Sequence, residues 1–187
     1  MYPGKRLFDL IVAALALIVL SPVILACAIV VKLTSPGPAI YAGVRAGRLE
    51  RPFGQLKFRT MGLGADRGGF QTAEGDPRIT RAGRWLRKTS LDELPQLVNV
   101  LRGDMSLVGP RPAAIAQLNL YSPEDRRERA KVRPGITGLA QVSGRSALPV
   151  ADAIRLDVEY VHTASLGLDL DIIGRTFATI TRRSGAN

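Results

Sequence analysis

The adjacent acids Asp92 and Glu93 are the side chains best placed for covalent chemistry, because cations crowd around them in sequence. Arg84, Arg87 and Lys88 precede the pair, and Arg102 and Arg111 follow it. Two carboxylates among cations suit a site that handles phosphate. One carboxylate can attack phosphorus to form an acyl-phosphate. The other can hold Mg²⁺, a hard cation that takes one or two carboxylates and substrate phosphate oxygens. The pair also has an ordinary reading. Ser90-Leu91-Asp92-Glu93 matches a capping box ahead of the apolar positions Leu94, Leu97, Val98, Val100 and Leu101, and acids in a first helical turn gain about 0.3–1 kcal/mol from the helix dipole. Pro95 complicates the start of that helix, because proline is most comfortable at the first helical position. On either reading the acids lie at a helix N-terminus.

Further cations sit in restrained backbone. Gly109-Pro110-Arg111-Pro112 fixes an arginine between two residues of locked φ, from which its fork could reach a phosphate. Lys57 and Arg59 flank Phe58 two residues apart, so a strand would send both to one face and Phe58 to the other. The glycines of Arg133-Pro134-Gly135-Ile136-Thr137-Gly138 and of Gly144-Arg145 could approach a ligand closely for want of a Cβ, or simply make turns. Cys27 is the only cysteine and His162 the only histidine. That removes a disulfide framework, Cys-ligated zinc and His-based metal clusters from consideration, and a Ser/His/Asp triad would have to be built on one residue. A net charge of +10 and a pI near 10.6 call for an anionic partner, and charge alone does not choose among nucleic acid, lipid headgroups and phosphorylated small molecules.

The elements that would position these residues begin with a membrane segment. Leu7 to Val31 is almost continuously apolar, interrupted by Asp9, Ser21 and Pro22, and no clear cleavage site follows it, so we read it as retained. Its length permits a span of the bilayer. Proline removes an intrahelical hydrogen bond, so a sharp bend is expected at Ser21-Pro22. The flanking pieces, roughly 15–20 Å each, suit a helix that enters and returns. Lys5 and Arg6 at one end, and Lys32, Arg45, Arg48 and Arg51 beyond the other, place both ends on the cytoplasmic side. A kinked spanning anchor is the alternative, since spanning helices tolerate proline. Asp9 could pair with Lys5 or Arg6 at headgroup level.

Beyond the turn Ser35-Pro36-Gly37-Pro38, strands are expected at Ala39–Val44 and Gln55–Met61, forming a small antiparallel pair. Residues 62–78, rich in Gly and charge, read as a mobile loop, and a basic helix follows over Arg81–Lys88. Gly103 closes the helix after the acids. Further helical patterns cover Ala113–Leu120, Glu124–Lys131, Ala151–Val161 and Asp169–Ile180. The last of these is expected to pack on the core or to lie at the membrane surface. The fold class expected is α+β: an N-terminal re-entrant helix-break-helix over residues 1–33, and a mostly helical cytosolic domain over 34–187 with a small antiparallel β element.

Taken together, the strings Lys57-Phe58-Arg59-Thr60-Met61, Arg78-Ile79-Thr80-Arg81 and Arg87-Lys88-Thr89-Ser90-Leu91-Asp92-Glu93-Leu94-Pro95-Gln96-Leu97 resemble the bacterial sugar transferase family, the monotopic polyprenyl-phosphate phosphoglycosyl transferases. The resemblance continues through Gly103–Pro112 and Arg133–Arg145, includes Lys5-Arg6-Leu7-Phe8-Asp9 and Ser21-Pro22, and covers nearly the whole chain. It implies a re-entrant membrane helix broken at Ser21-Pro22 on the cytoplasmic face of the bacterial inner membrane. It also implies a ping-pong reaction. Asp92 would attack the β-phosphate of a UDP-sugar, releasing UMP, and polyprenyl phosphate would then take the sugar phosphate from the aspartate. Glu93 would bind Mg²⁺. Lys57, Arg87 and Arg111 would contact phosphate, with Arg59 beside them on the strand face. Pro110, Pro112, Gly138, Gln141 and Arg145 would fall in the nucleotide and sugar region. UDP-sugar, polyprenyl (undecaprenyl) phosphate and membrane lipid are the partners implied, and nucleic acid is not. The chain departs from the family after Gly144-Arg145, where Ser146-Ala147-Leu148-Pro149 and Thr163-Ala164-Ser165-Leu166-Gly167 stand in a region usually furnished with tryptophan. Two rival readings remain distinct: a basic membrane-surface binding protein that uses neither acid, and a glycosyltransferase that would release UDP.

Overall fold

The computed structural model describes residues 1–65, 75–144 and 148–181. Helix α1 (Lys5–Thr34) occupies the whole apolar stretch, and by length and composition it could cross a membrane. Helical structure continues through Ser21-Pro22, so the expected break does not interrupt the helix. Pro22 has no N–H to offer the carbonyl of Ile18 one turn back, and the Ser21 hydroxyl donates to that carbonyl instead, at 2.8 Å.

One flank of α1 lies on the rest of the protein along its length, through Lys5, Asp9, Ala13, Cys27 and Val31. These positions recur at helical spacing. The opposite flank carries Leu7, Ile11, Leu15, Ile18, Val19, Leu25, Ile29 and Leu33 in the open, with Val19 72% exposed. Both ends are tied to the same body. Near the start, the Arg6 guanidinium donates to the carbonyls of Val100 and Leu101 at 2.7 and 3.1 Å. Near the end, Arg59 donates to the Ser35 carbonyl and hydroxyl at 2.9 and 2.8 Å and to the Pro36 carbonyl.

The expected antiparallel pair is present as β1 (Ile40–Ala46) and β2 (Pro52–Phe58), with Tyr41 opposite Lys57 and Arg45 opposite Phe53. The second strand stops at Phe58, short of the expected Met61, which instead forms an isolated bridge to Ile79. Residues 66–74 of the expected loop lie outside the described residues. Helix α2 (Arg81–Thr89) follows, capped by the Thr80 hydroxyl, which accepts from the Gly83 N–H. Helix α3 (Gln96–Arg102) ends at Gly103, whose φ of 94° suits a residue without a side chain.

A parallel pair, β3 (Ser106–Val108) with β4 (Gly135–Thr137), was not foreseen. Three residues per strand are too few to show a period of two. Residues Ile115–Leu120, expected as helix, form a 3₁₀ turn. Among the described residues four helices follow: α4 (Pro123–Ala130), α5 (Leu139–Ser143), α6 (Val150–Thr163) and α7 (Leu166–Thr181). The α+β class therefore stands, mostly helical with two small sheets. Ala13, Leu97, Val100, Met105, Val108, Tyr160 and Ile172 form the main core. Cys27, Val31, Phe58 and Leu86 form a second one under the far half of α1.

The entry of α1 is held by charge and not by apolar contact alone. Lys5 Nζ lies 3.0 Å from Asp9 Oδ1 and 2.7 Å from Asp169 Oδ2, with all three side chains at most 5% exposed. Asp9 also accepts from the Ser106 hydroxyl and the Leu107 N–H, and Asp169 accepts from the hydroxyls of Tyr2 and Tyr160. Asp9 does pair with Lys5, but in the interior instead of at headgroup level. Buried charges persist only when paired and hydrogen-bonded. Replacing Asp169 by alanine should therefore cost about 3–5 kcal/mol. Asp152→Ala, which removes an exposed contact to Arg155 at 3.8 Å and a first-turn acid of α6, should cost under about 1 kcal/mol. Denaturant unfolding in detergent checks this, and equal losses would remove the special standing of the buried cluster.

Candidate active site

The two acids sit at a junction between helices. Ser90 ends α2 in the left-handed conformation (φ 57°), and Leu91–Glu93 then make one 3₁₀ turn before Pro95, at φ −60°, sets the start of α3. The expected capping box is thus not formed. With Ser90 left-handed, its hydroxyl makes no cap to the following turn, and the pre-set φ of proline starts the helix instead. Glu93 is consequently available to another partner. Lys57 Nζ of β2 meets its Oε1 at 2.7 Å, both side chains being about one-quarter exposed.

Asp92 is buried beside this pair, at 8% exposure. Burial, and secondarily the charge of Glu93, push its carboxyl up from the ordinary 3.8 to about 6. The cations of Lys57 and Arg87 and its own backbone N–H pull the other way. Arg87 reaches the site from α2, and its Nε donates to the Thr60 hydroxyl at 2.9 Å. Thr60 is the residue on which α2 is seated, and the sequence reading did not single it out. Its carbonyl accepts from the Thr80 N–H at 3.0 Å, and a Cβ on Gly83 would come within 2.0 Å of that same oxygen. The glycine in Arg81-Ala82-Gly83-Arg84 was the available signal, since only a bare backbone permits that approach.

The structure brings together Asp92, Glu93, Lys57 and Arg87, and employs the other expected residues differently. Arg59 is 6% exposed and binds the turn after α1, so it serves that junction and not the acidic pair. The strand ends before it, which releases it from the face it would share with Lys57. Pro110 and Pro112 hold an exposed Arg111 whose carbonyl accepts from Arg129, and whose charge bears on Arg45 and Asp157. Gly138 is close to protein and not to open space, because a Cβ there would stand 2.2 Å from the Gly109 carbonyl. Gln141 donates to the Ile136 carbonyl at 3.1 Å. These motifs build the β3–β4 joint backbone against backbone. Arg145 lies outside the described residues. His162 is exposed and 3.4 Å from Glu128.

Among the described residues no cluster of three or more His, Cys, Asp or Glu side chains could hold a metal by itself. The adjacent carboxylates nevertheless fit Mg²⁺, which binds through one or two carboxylates and draws its remaining ligands from water and substrate phosphates. Chemically, the arrangement offers a buried carboxylate of raised pKa beside an ion pair and a guanidinium.

The sequence profile described as bacterial sugar transferase matches residues 2–183. The UDP-glucose:undecaprenyl-phosphate glucose-1-phosphate transferase of Caulobacter vibrioides is 45% identical over 97% of this chain and 71% of its own length. The undecaprenyl-phosphate glucose phosphotransferase of Komagataeibacter xylinus is 45% identical over 95% of this chain and 35% of its own length. The UDP-N-acetylgalactosamine-undecaprenyl-phosphate N-acetylgalactosaminephosphotransferase of Aeromonas hydrophila is 42% identical over 97% of this chain and 44% of its own length. The chain thus spans most of the first relative and less than half of the other two.

The raised pKa of Asp92 has a consequence for stability. An unfolded chain ionises this carboxyl through pH 3.8 and the folded one only through about 6. Stability is therefore lost as pH rises across that window, and the cost above it is roughly 3 kcal/mol. Asp92→Asn should be more stable than the parent at pH 7.5, with the difference vanishing near pH 4. Thermal melts at the two pH values check this, and a difference that did not change with pH would remove the buried charge as its cause.

Proposed function

Since the chain belongs to the bacterial sugar transferase family, we propose that it transfers a sugar 1-phosphate from a UDP-sugar to undecaprenyl phosphate, a membrane step of exopolysaccharide or related glycoconjugate assembly. The observation that carries the reading is the juxtaposition of buried Asp92 with the Lys57–Glu93 pair and Arg87, in a chain related over nearly its whole length to enzymes named for this reaction.

The chemistry runs as two displacements at one phosphorus. An oxygen of the Asp92 carboxylate attacks the β-phosphorus of the UDP-sugar, and the bond to the oxygen bridging the two phosphorus atoms breaks. UMP leaves with that oxygen, and the sugar phosphate stays on the aspartate as an acyl-phosphate. A phosphate oxygen of the polyprenyl carrier then attacks the same phosphorus. The acyl-phosphate bond breaks, the Asp92 carboxylate is restored, and the product is polyprenyl-diphosphate-sugar. Lys57 and Arg87 would neutralise the charge of the phosphates as it shifts. Glu93 would hold Mg²⁺, which when bound supplies further neutralisation of a diphosphate. Arg111 remains proposed as a phosphate contact, and Pro110, Pro112, Gly138, Gln141 and Arg145 as the nucleotide and sugar region.

The membrane geometry proposed is re-entrant: α1 enters and leaves the cytoplasmic face of the bacterial inner membrane, residues 1–33 forming the membrane segment and 34–187 the catalytic domain. Support comes from the two sets of tethers on α1. A single crossing would separate its ends by about 30 Å of hydrocarbon, whereas Arg6 and Ser35 both bond to one body.

The experiment is UMP release from a panel of UDP-sugars by protein held in nanodiscs with undecaprenyl phosphate and Mg²⁺. One donor should give UMP, Asp92→Asn should give none, and Lys57→Met should lower kcat by about 10²-fold or more. Equal release from Asp92→Asn would end the nucleophile assignment, and UDP in place of UMP would make the protein a glycosyltransferase. The free enzyme needs the carboxylate, so kcat/KM should fall tenfold per pH unit below about 6. A profile flat down to pH 5 would contradict the raised pKa.

A further inference from the structure

Helix α2 presents a second face that the chemistry above leaves unused. Arg81, Arg84, Trp85 and Lys88 recur at the i, i+3, i+4, i+7 spacing of one helical stripe, and all four are exposed, Trp85 at 51%. The opposite stripe, Gly83 and Leu86, is buried. Leu86 packs with Cys27 and Val31 of α1, so α2 is clamped beside the far half of the membrane helix. The exposed flank of α1 is apolar there, through Ile29, Val30 and Leu33, and ends at the exposed Lys32.

An exposed tryptophan is costly in water and at home at the boundary between hydrocarbon and headgroups, where the ring finds apolar surroundings and its N–H a polar partner. Arginine and lysine around it match anionic phosphates, as basic residues do next to a membrane helix. We propose that this face of α2 is a docking surface for anionic lipid headgroups, continuous with the lipid-facing flank of α1. The inference rests on the membrane reading of α1 and extends it to a second element. Its functional content is a height. The chain passes from Thr89 through Ser90 directly into the turn that carries Asp92 and Glu93, so seating α2 on the headgroups sets the level of the acids above the lipid that carries the acceptor phosphate.

Trp85 is the only tryptophan in the chain, so its fluorescence reports on this face without labelling. The full-length protein would be reconstituted into vesicles of phosphatidylcholine alone or with phosphatidylglycerol, and flotation would establish that α1 has inserted. With phosphatidylglycerol present, Trp85 emission should shift to the blue, lose its quenching by aqueous acrylamide and gain quenching by lipids brominated near the headgroup. Added salt should weaken these changes, and the double variant Arg81→Glu, Arg84→Glu should lose them while still floating. Protein that floats while Trp85 stays acrylamide-accessible in both lipids would overturn the proposal and leave the membrane reading of α1 intact. Shielding that is equal in neutral and anionic vesicles would remove the cations from it. Shielding that appears only on adding UDP-glucose would assign the face to the nucleotide donor. Protein that does not float at all would overturn both readings.

Discussion

The Lys5 ammonium, enclosed by Asp9 and Asp169, is the interaction on which the position of everything else turns. A charge buried that deeply has no alternative partner in an apolar core, so it fixes the entry of α1 against β3, α6 and α7 together. Tyr160 extends the same network, donating to Asp169 and lying 3.0 Å from the Val108 carbonyl. With the entry fixed and helical structure continuing past Pro22, the far end falls beside β2 and α2. Those two elements deliver Lys57 and Arg87. The acidic turn lies between them.

Within the site, backbone and electrostatics both oppose stability. Ser90 adopts a conformation that costs a residue with a side chain about 1–2 kcal/mol, and Asp92 is buried next to another acid. Neither feature helps the fold. Both hold a carboxylate at a fixed angle and in a poor solvent for charge, with two cations near enough to keep it ionised at neutral pH. Strain and burial of this kind gather where a group must react. The neighbouring Lys57–Glu93 pair stays partly open to water.

The sequence made the acids, their cations, the apolar helix and the antiparallel pair legible because each is written in a local pattern: neighbouring charges, a hydropathy run, a period of two. Family resemblance then joined the motifs. What stayed hidden was contact between distant segments. Asp9 was legible as a partner for Lys5 or Arg6, but its burial was not, since nothing nearby announces Asp169. Arg59 shares strand spacing with Lys57, and only the end of β2 one residue earlier separates their roles. The capping box at Ser90–Glu93 was a correct local pattern overridden by Pro95 and by the pull of Lys57 on Glu93. Gly135 and Gly138 read either as room for a ligand or as turns, and their space is filled by the backbone around Gly109.

The same ion cluster joins residues made at very different times. Asp169 is translated long after Lys5, with α2 to α6 in between, so the clamp at the entry of α1 cannot close until that stretch has been made. Until then Lys5 has only Asp9, one turn away on the same helix, and the two charges cancel each other. An apolar helix whose only internal acid is neutralised in this way can settle into lipid before the rest of the chain is made. On the proposed membrane placement of α1, the rest of the chain would then assemble onto a helix already in lipid, with α7 bringing Asp169 as the closing latch.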